Sequence, residues 1–317
     1  MADRTRYRQI AVGVTVAVLI IAAGGWFLCT RKEKSCPVLM QHNLPEKVVQ
    51  VLAGKPEAPL QTPLDVAVAP DGRIFVADAG NNAVQVFYPW GRPRGFLGRG
   101  KIKFTYPNTV AVDANGRVYV GEFAAGRIRV FSARGEFKQK IDASTAGVPL
   151  QPLDLAVGAD GRLYVADRRG AVYVLDKKGR LLRRIDQVAA EPETLAYPNG
   201  IAVDDAGDIA VSDSGNRRVL LFGADGKLLR VIESGEMSHP RGTGFWGKEL
   251  IVVADTFGNR LLAFSRAGRL VKNIKAENSP GLSFAVSNTL LNGLAVFEDR
   301  VYVTDRIHNI VLIFGRD

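Results

Sequence analysis

From Lys47 onward, short apolar runs alternate with polar turn clusters, and one order of runs returns six times. A unit opens with Pro and a short apolar run, turns at a Gly, and continues with a second run ending in an acid. A second polar turn then leads to a third run, which in most units ends in Phe. The units begin at Pro63, Pro107, Pro152, Pro198, Pro240 and, with leucine in the proline place, Leu291. The steps are 44, 45, 46, 42 and 51 residues. The runs are rich in Val, Ile, Tyr and Phe, and lack the 3.6-residue apolar period of a helix, so they predict strands.

The fourth unit shows the parts. Gly200 to Val203 is apolar and suits a buried inner strand, and Asp204 to Gly207 turns the chain. Asp208 to Ser212 makes a second strand, Arg217 to Phe222 a third, and Lys227 to Ile232 a fourth. Asp71-Gly72, Asn115-Gly116 and Asp160-Gly161 repeat the turn chemistry of tight hairpins. A lone four-stranded meander leaves two apolar faces bare, and packing copies around an axis covers both. The fold class predicted is all-β: a six-bladed β-propeller. Six units of about 45 residues need about 270 residues, and residues 47–317 supply 271. The sixth unit stops after its third strand. The segment Lys47 to Gly54 reads like Leu228 to Ser234, so it is expected to supply the missing strand and close the ring.

The second acid and the turn after it carry a family resemblance. Asp213-Ser214-Gly215-Asn216-Arg217-Arg218-Val219-Leu220-Leu221-Phe222 resembles the NHL repeat. Asp78 to Phe87 has Ala83 in the Arg place, Glu122 to Phe131 has Glu for Asp and keeps Arg127, and Asp305 to Phe314 has His308 in the Asn place. The resemblance spans 271 of 317 residues and implies the propeller; it does not imply an activity.

Ahead of the ring, residues Ile10 to Leu28 form an uncharged run of 19. At about 1.5 Å per residue it reaches about 28 Å, close to a hydrocarbon core of about 30 Å. Trp26 stands where an interfacial anchor belongs. The expected organisation is a tail at 1–9, a transmembrane helix at 10–29, a linker at 30–46 and the ring at 47–317. Three basic residues flank the run on each side, so charge does not orient it. A short N-terminal tail favours the cytosol, which puts the ring on the periplasmic or other extracytoplasmic side of a single-pass membrane protein. Cys29 and Cys36 are the only cysteines, and the ring has none.

The net charge is +10, of which +4 lies in the first 36 residues. Known NHL rings include nucleic-acid binders that use a basic face, but a ring outside the cytosol does not meet RNA. Nucleic acid is therefore not the expected partner. One stretch concentrates charge: Arg92, Arg94, Arg99, Lys101 and Lys103, interleaved with Trp90, Phe96, Ile102 and Phe104. It reads either as a patch for anionic lipid or an acidic partner, or as an outer strand with solvated arginines.

The recurring acids Asp78, Glu122, Asp167, Asp213, Asp255 and Asp305 read as structural, since repetition in every blade is what a turn-binding role predicts. Arg127, Arg218 and Arg260 are spaced to pair with three of them. Positions that differ between blades are the better site candidates. Asp65, Asn108, Asp154, Asn199, Arg241 and Asn292 follow the unit-opening residue and are expected at the channel mouth as a ligand site. Pro198 to Val203 also resembles the Asn-Gly segment of gluconolactonase- and regucalcin-like propellers, which implies a divalent metal such as Ca²⁺ or Zn²⁺ on Asn199. Arg241 argues against a metal, because a cation there repels one. His42, His239 and His308 occupy unlike positions, so no zinc-lyase cluster is expected. There is no P-loop, nucleophile elbow or His-Glu-x-x-His.

Three connections are enlarged, at 143–151, 187–197 and 276–290. The expectation is a cofactor-free scaffold for a protein partner in the envelope. The alternative is a metal-dependent lactonase-like hydrolase using the mouth Asp and Asn residues.

Overall fold

The computed structural model describes residues 44–100, 102–186, 194–275 and 289–316, together with the backbone of 18–22 and 25–29. The chain separates into two compact units, Met1–Asn43 and Leu44–Asp317.

In the first unit, Val18–Ala22 pairs antiparallel with Gly25–Cys29. A helix was the expectation for this stretch. The described residues pair as two strands, and no described helix is long and apolar enough to cross a membrane. Val18, Ile20 and Ile21 are β-branched, which favours pleated pairing. The remainder of the expected anchor, the 1–9 tail and linker residues 30–43 lie outside the described residues.

The second unit is a ring of six four-stranded antiparallel sheets. The first blade comprises Pro63–Val68, Ile74–Asp78, Ala83–Phe87 and Pro93–Phe96. The next four repeat this order, with inner strands Pro107–Val112, Pro152–Val157, Pro198–Val203 and Pro240–Trp246. The sixth contains Leu291–Phe297, Arg300–Asp305 and Ile310–Gly315, and Lys47–Leu52 completes it. That closing strand pairs Val311 with Leu52 and Phe314 with Val48, as the sequence reading expects.

The hairpins follow from turn chemistry. Gly72 takes φ +78°, where a side chain would be strained, and its N–H donates to Ala69 O at 2.8 Å. Second and third strands are buried on both faces, so they read as nearly continuous apolar runs. Outer strands such as Leu181–Ile185 alternate in burial. Six apolar clusters fill the ring, each between two neighbouring blades. Phe87, Phe131 and Phe222 end their third strands, Phe264 and Phe314 stand one residue before the end, and all five are fully buried. Each contributes about 1.5–3 kcal/mol by leaving water.

In the first blade Pro63 pairs with Asp78, and a one-residue bulge follows before Asp65 pairs with Ala77. The same irregularity recurs in every inner strand. The unit-opening residue and the second-strand acid therefore lie at one end of each blade, here termed the proline end. The inner strands line a central channel of about 1060 Å³, walled by small apolar residues such as Ala111, Ala156 and Val203.

Candidate functional site at the proline end of the channel

Of the residues expected at the mouth, Asp65 and Asp154 line the channel, and the six lie on two sides of the inner-strand bulge. Asn108, Asn199, Arg241 and Asn292 directly follow the unit-opening residue, whereas Asp65 and Asp154 come one later. Their side chains join neighbouring blades, that of Asn199 through Ser214 of its own blade.

Asp65 accepts from Val66 N and, across the junction, from Val110 N, both at 2.8 Å. Asp154 accepts from Leu155 N and from Ile201 N of the next blade, also at 2.8 Å. Thr109 Oγ1 lies 3.0 Å from Asp65 and 2.8 Å from Asp154. Asn108 donates to Pro152 O and Leu153 O. Asn199 donates to Ser214 Oγ, which donates in turn to Pro240 O. Arg241 donates to Asn292 Oδ1 at 2.9 Å, and Asn292 donates to Leu64 O at 2.6 Å. Every junction of the ring is crossed by at least one of these bonds.

The two halves of this belt differ. Blades one to three place Asp65, Thr109 and Asp154 after the bulge, and blades four to six place Gly200, Gly242 and Gly293. A methyl group on Gly200 would meet Arg241 O, and one on Gly293 would meet Asp65, both far inside van der Waals contact. One half is therefore tied by carboxylates and a hydroxyl, the other by close backbone approach.

Burial is the largest influence on both acids. It raises Asp154 to about 6 and holds Asp65 well above the ordinary carboxyl value, with Asp154 adding to the effect on Asp65. All four carboxylate oxygens of the pair already lie within hydrogen-bond distance of an N–H or O–H, and no three His, Cys, Asp or Glu gather to hold a metal among the described residues. The donor set does not form a metal cage. Arg241 is lowered by burial and then by the nearby Arg306 charge, and its Nε is buried without an acceptor.

The repeated second-strand acids are structural, though not in the way their spacing suggests. They were expected to bind the turn that follows. In every blade the acid instead accepts from the loop that enters the inner strand: Asp78 from Gln61 N, Glu122 from Thr105 N, Asp167 from Gln151 N, Asp213 from Ala196 N, Asp255 from His239 N and Asp305 from Leu290 N. Asp167 and Asp305 take bonds from the following turn as well. The expected pairs form: Arg127–Glu122 at 2.7 Å, Arg218–Asp213 at 2.9 Å and Arg260–Asp255 at 3.1 Å.

Sequence reasoning missed Thr109 and the exposed rim around it. Tyr106, Tyr197, Phe257 and Ile307 stand at the proline end, between 45% and 68% exposed. Thr62, Tyr106 and Tyr197 precede their unit-opening prolines with φ of +50°, +50° and +53°. Such values are strained for these side chains. The neighbouring blade holds two of them: Asn309 accepts from Thr62 N, and Asn82 from Tyr106 N. Arg168 stacks on Tyr197 and donates to its hydroxyl, and His239 stacks on Phe257. An aromatic residue before Pro in two units was the available signal.

The charged stretch is strung along the outer edge of the first blade. Arg92 closes the turn at the far end, Arg94 lies over the Tyr88 ring, and Lys103 belongs to the loop that returns to the proline end. The side chain of Arg99 and all of Lys101 lie outside the described residues, as do 187–193 and 276–288 of the enlarged connections.

The NHL repeat is matched at residues 60–87, 104–131 and 195–222, so the chain carries NHL repeats. It is 28% identical over 207 residues to a gluconolactonase of Zymomonas mobilis subsp. mobilis, covering 57% of each protein. It is 29% identical over 124 residues to protein brain tumor of Drosophila melanogaster, covering 38% of this chain and 12% of that one. The chain thus spans little more than half of the first relative and an eighth of the second. Among solved structures, a streptogramin B lyase superposes with a TM-score of 0.62 at 14% identity, covering 84% of this chain and 87% of that one. Virginiamycin B lyase from Staphylococcus aureus gives 0.62 at 11% identity, covering 84% and 99%. These likenesses are of fold.

Proposed function

We propose that this NHL propeller is a membrane-anchored, extracytoplasmic scaffold that binds a protein partner or ligand at its proline end. The observation that carries the reading is the set Tyr106, Tyr197, Phe257 and Ile307, exposed at the proline end of four blades, with Arg168 over the Tyr197 ring. Large apolar groups kept in water are characteristic of binding surfaces, and two of these, Tyr106 and Tyr197, stand on strained left-handed backbone. Site-specific photo-crosslinking tests it. A crosslinker at Phe257 or Tyr197 captures the partner, one at Leu182 or Leu229 on the outer strands does not, and equal capture at all four positions refutes the reading. A topology reporter fused after Asp317 tests the sidedness.

One observation favours hydrolysis as a second reading. Asp65 and Asp154 are carboxyls facing the channel with raised pKa, a property of acid–base groups. The gluconolactonase similarity agrees with it. A metal-dependent lactonase would need Asn199 and Asp154 released from their present bonds. Lactone turnover that needs a divalent ion and is lost in Asn199→Ala would establish it.

A further inference from the structure

A second cavity, of about 430 Å³, lies away from the proline end, between the first and second blades. Its wall brings together Arg73, Arg94 and Arg134, with Phe75, Phe96 and Leu97 beside them. Arg73 pairs with Asp71 at 2.7 Å and lies over the Phe75 ring. Arg94 and Arg134 make no ion pair among the described residues. The other acid nearby, Glu136, is taken by Lys138 at 3.0 Å. Glu136 also feels the Arg134 charge, but neither Arg94 nor Arg134 is bonded to a carboxylate among the described residues, and both border an apolar-backed cavity.

The rim carries a second observation. Arg94 lies over Tyr88, and Tyr88 stacks on Trp90 with ring centroids 4.8 Å apart and planes 5° from parallel. Trp90 is 64% exposed, and Gln50 of the closing strand fixes its turn by donating to Trp90 O at 2.8 Å. A stacked Tyr–Trp pair held outward beside arginines matches the side chains that settle at a membrane–water boundary.

We propose that this cavity takes the phosphate headgroup of an anionic phospholipid, with Trp90 resting in the bilayer interface. Guanidinium forks suit phosphate oxygens. The cavity is sized for one headgroup, and the aromatic rim gives the acyl side an apolar neighbour. A nucleic acid backbone would call for a longer run of cations than these three. The inference is independent of the proline-end scaffold, which lies at the other end of the blades.

The test uses the full-length chain with Trp90 as its sole tryptophan (Trp26→Phe, Trp246→Phe), in phosphatidylcholine vesicles containing brominated acyl chains. Adding phosphatidylglycerol is expected to shift Trp90 emission to the blue and quench it. Arg94→Gln with Arg134→Gln, both exposed and outside the blade ties, is expected to raise the phosphatidylglycerol needed by about tenfold or more. Arg306→Gln at the opposite end is the control and leaves the response intact. Equal quenching in pure phosphatidylcholine, or an unchanged response in the double variant, overturns the proposal. So does free glycerol phosphate or a short RNA that binds with the same Arg94 and Arg134 dependence while vesicles give no quenching.

Discussion

Asp65 and Asp154, two blades apart, meet at one hydroxyl, Thr109 Oγ1, at 3.0 Å and 2.8 Å. A hydroxyl has one hydrogen to give. It can donate to one carboxyl, and the second contact is favourable only if the other carboxyl donates to the hydroxyl. The belt therefore retains a proton where an isolated carboxyl would have lost it.

This makes stability depend on pH. The folded Asp154 titrates at about 6 against an ordinary 3.8, so the folded chain binds more protons than the unfolded chain between these values. The stabilisation is complete below about 4 and is lost as pH rises through about 6, by up to about 3 kcal/mol. Urea unfolding across this range should show the decline, and Asp154→Asn should flatten it. A decline that is the same in Asp154→Asn removes the explanation.

Thr109→Val should cost about 1–3 kcal/mol at neutral pH, because it leaves two buried carboxyls without their shared partner. The loss should shrink at acid pH, where both are protonated and can pair differently. Denaturation midpoints of the two proteins at two pH values give the comparison.

Gly293→Ala and Gly200→Ala should each destabilise the ring by about 3 kcal/mol or prevent folding, since the added methyl meets backbone or a buried acid of the next blade. Gly235→Ala, where a methyl meets nothing within 4 Å, is the control and should change stability little. Calorimetric midpoints measure all three.

Leu52→Ala should cost about 2–5 kcal/mol, as expected for a buried leucine. Leu52 packs with Ile74, Phe87 and Ile313 in the seam between the sixth and first blades. The loss should also broaden the unfolding transition, because the ring would open there first. A sharp transition with an unshifted midpoint would show that closure lies elsewhere.

Much of this architecture is legible in the chain. The spacing of Pro63, Pro107, Pro152 and Pro198 announces the blades, and the likeness of Lys47–Gly54 to an outer strand announces the closure. Arg127, Arg218 and Arg260 can be paired with their acids by spacing alone. The mouth is less legible, because Asn199 and Asp154 look free to bind a ligand until the fold brings Ser214 to the one and Ile201 of the next blade to the other. The role of Gly293 depends on how near Leu64 and Asp65 approach, a distance set by the whole ring.

The strand at Lys47–Leu52 leaves the ribosome about 260 residues ahead of its partner at Ile310–Gly315. At about 5–20 residues per second, the nascent chain carries that unpaired edge for some tens of seconds. Through that interval Val48, Val49, Val51 and Leu52 offer a ready template to any other extended chain. Production of this protein should therefore be more sensitive to crowding by its own copies, and to strand-shielding chaperones, than the finished ring's stability would suggest.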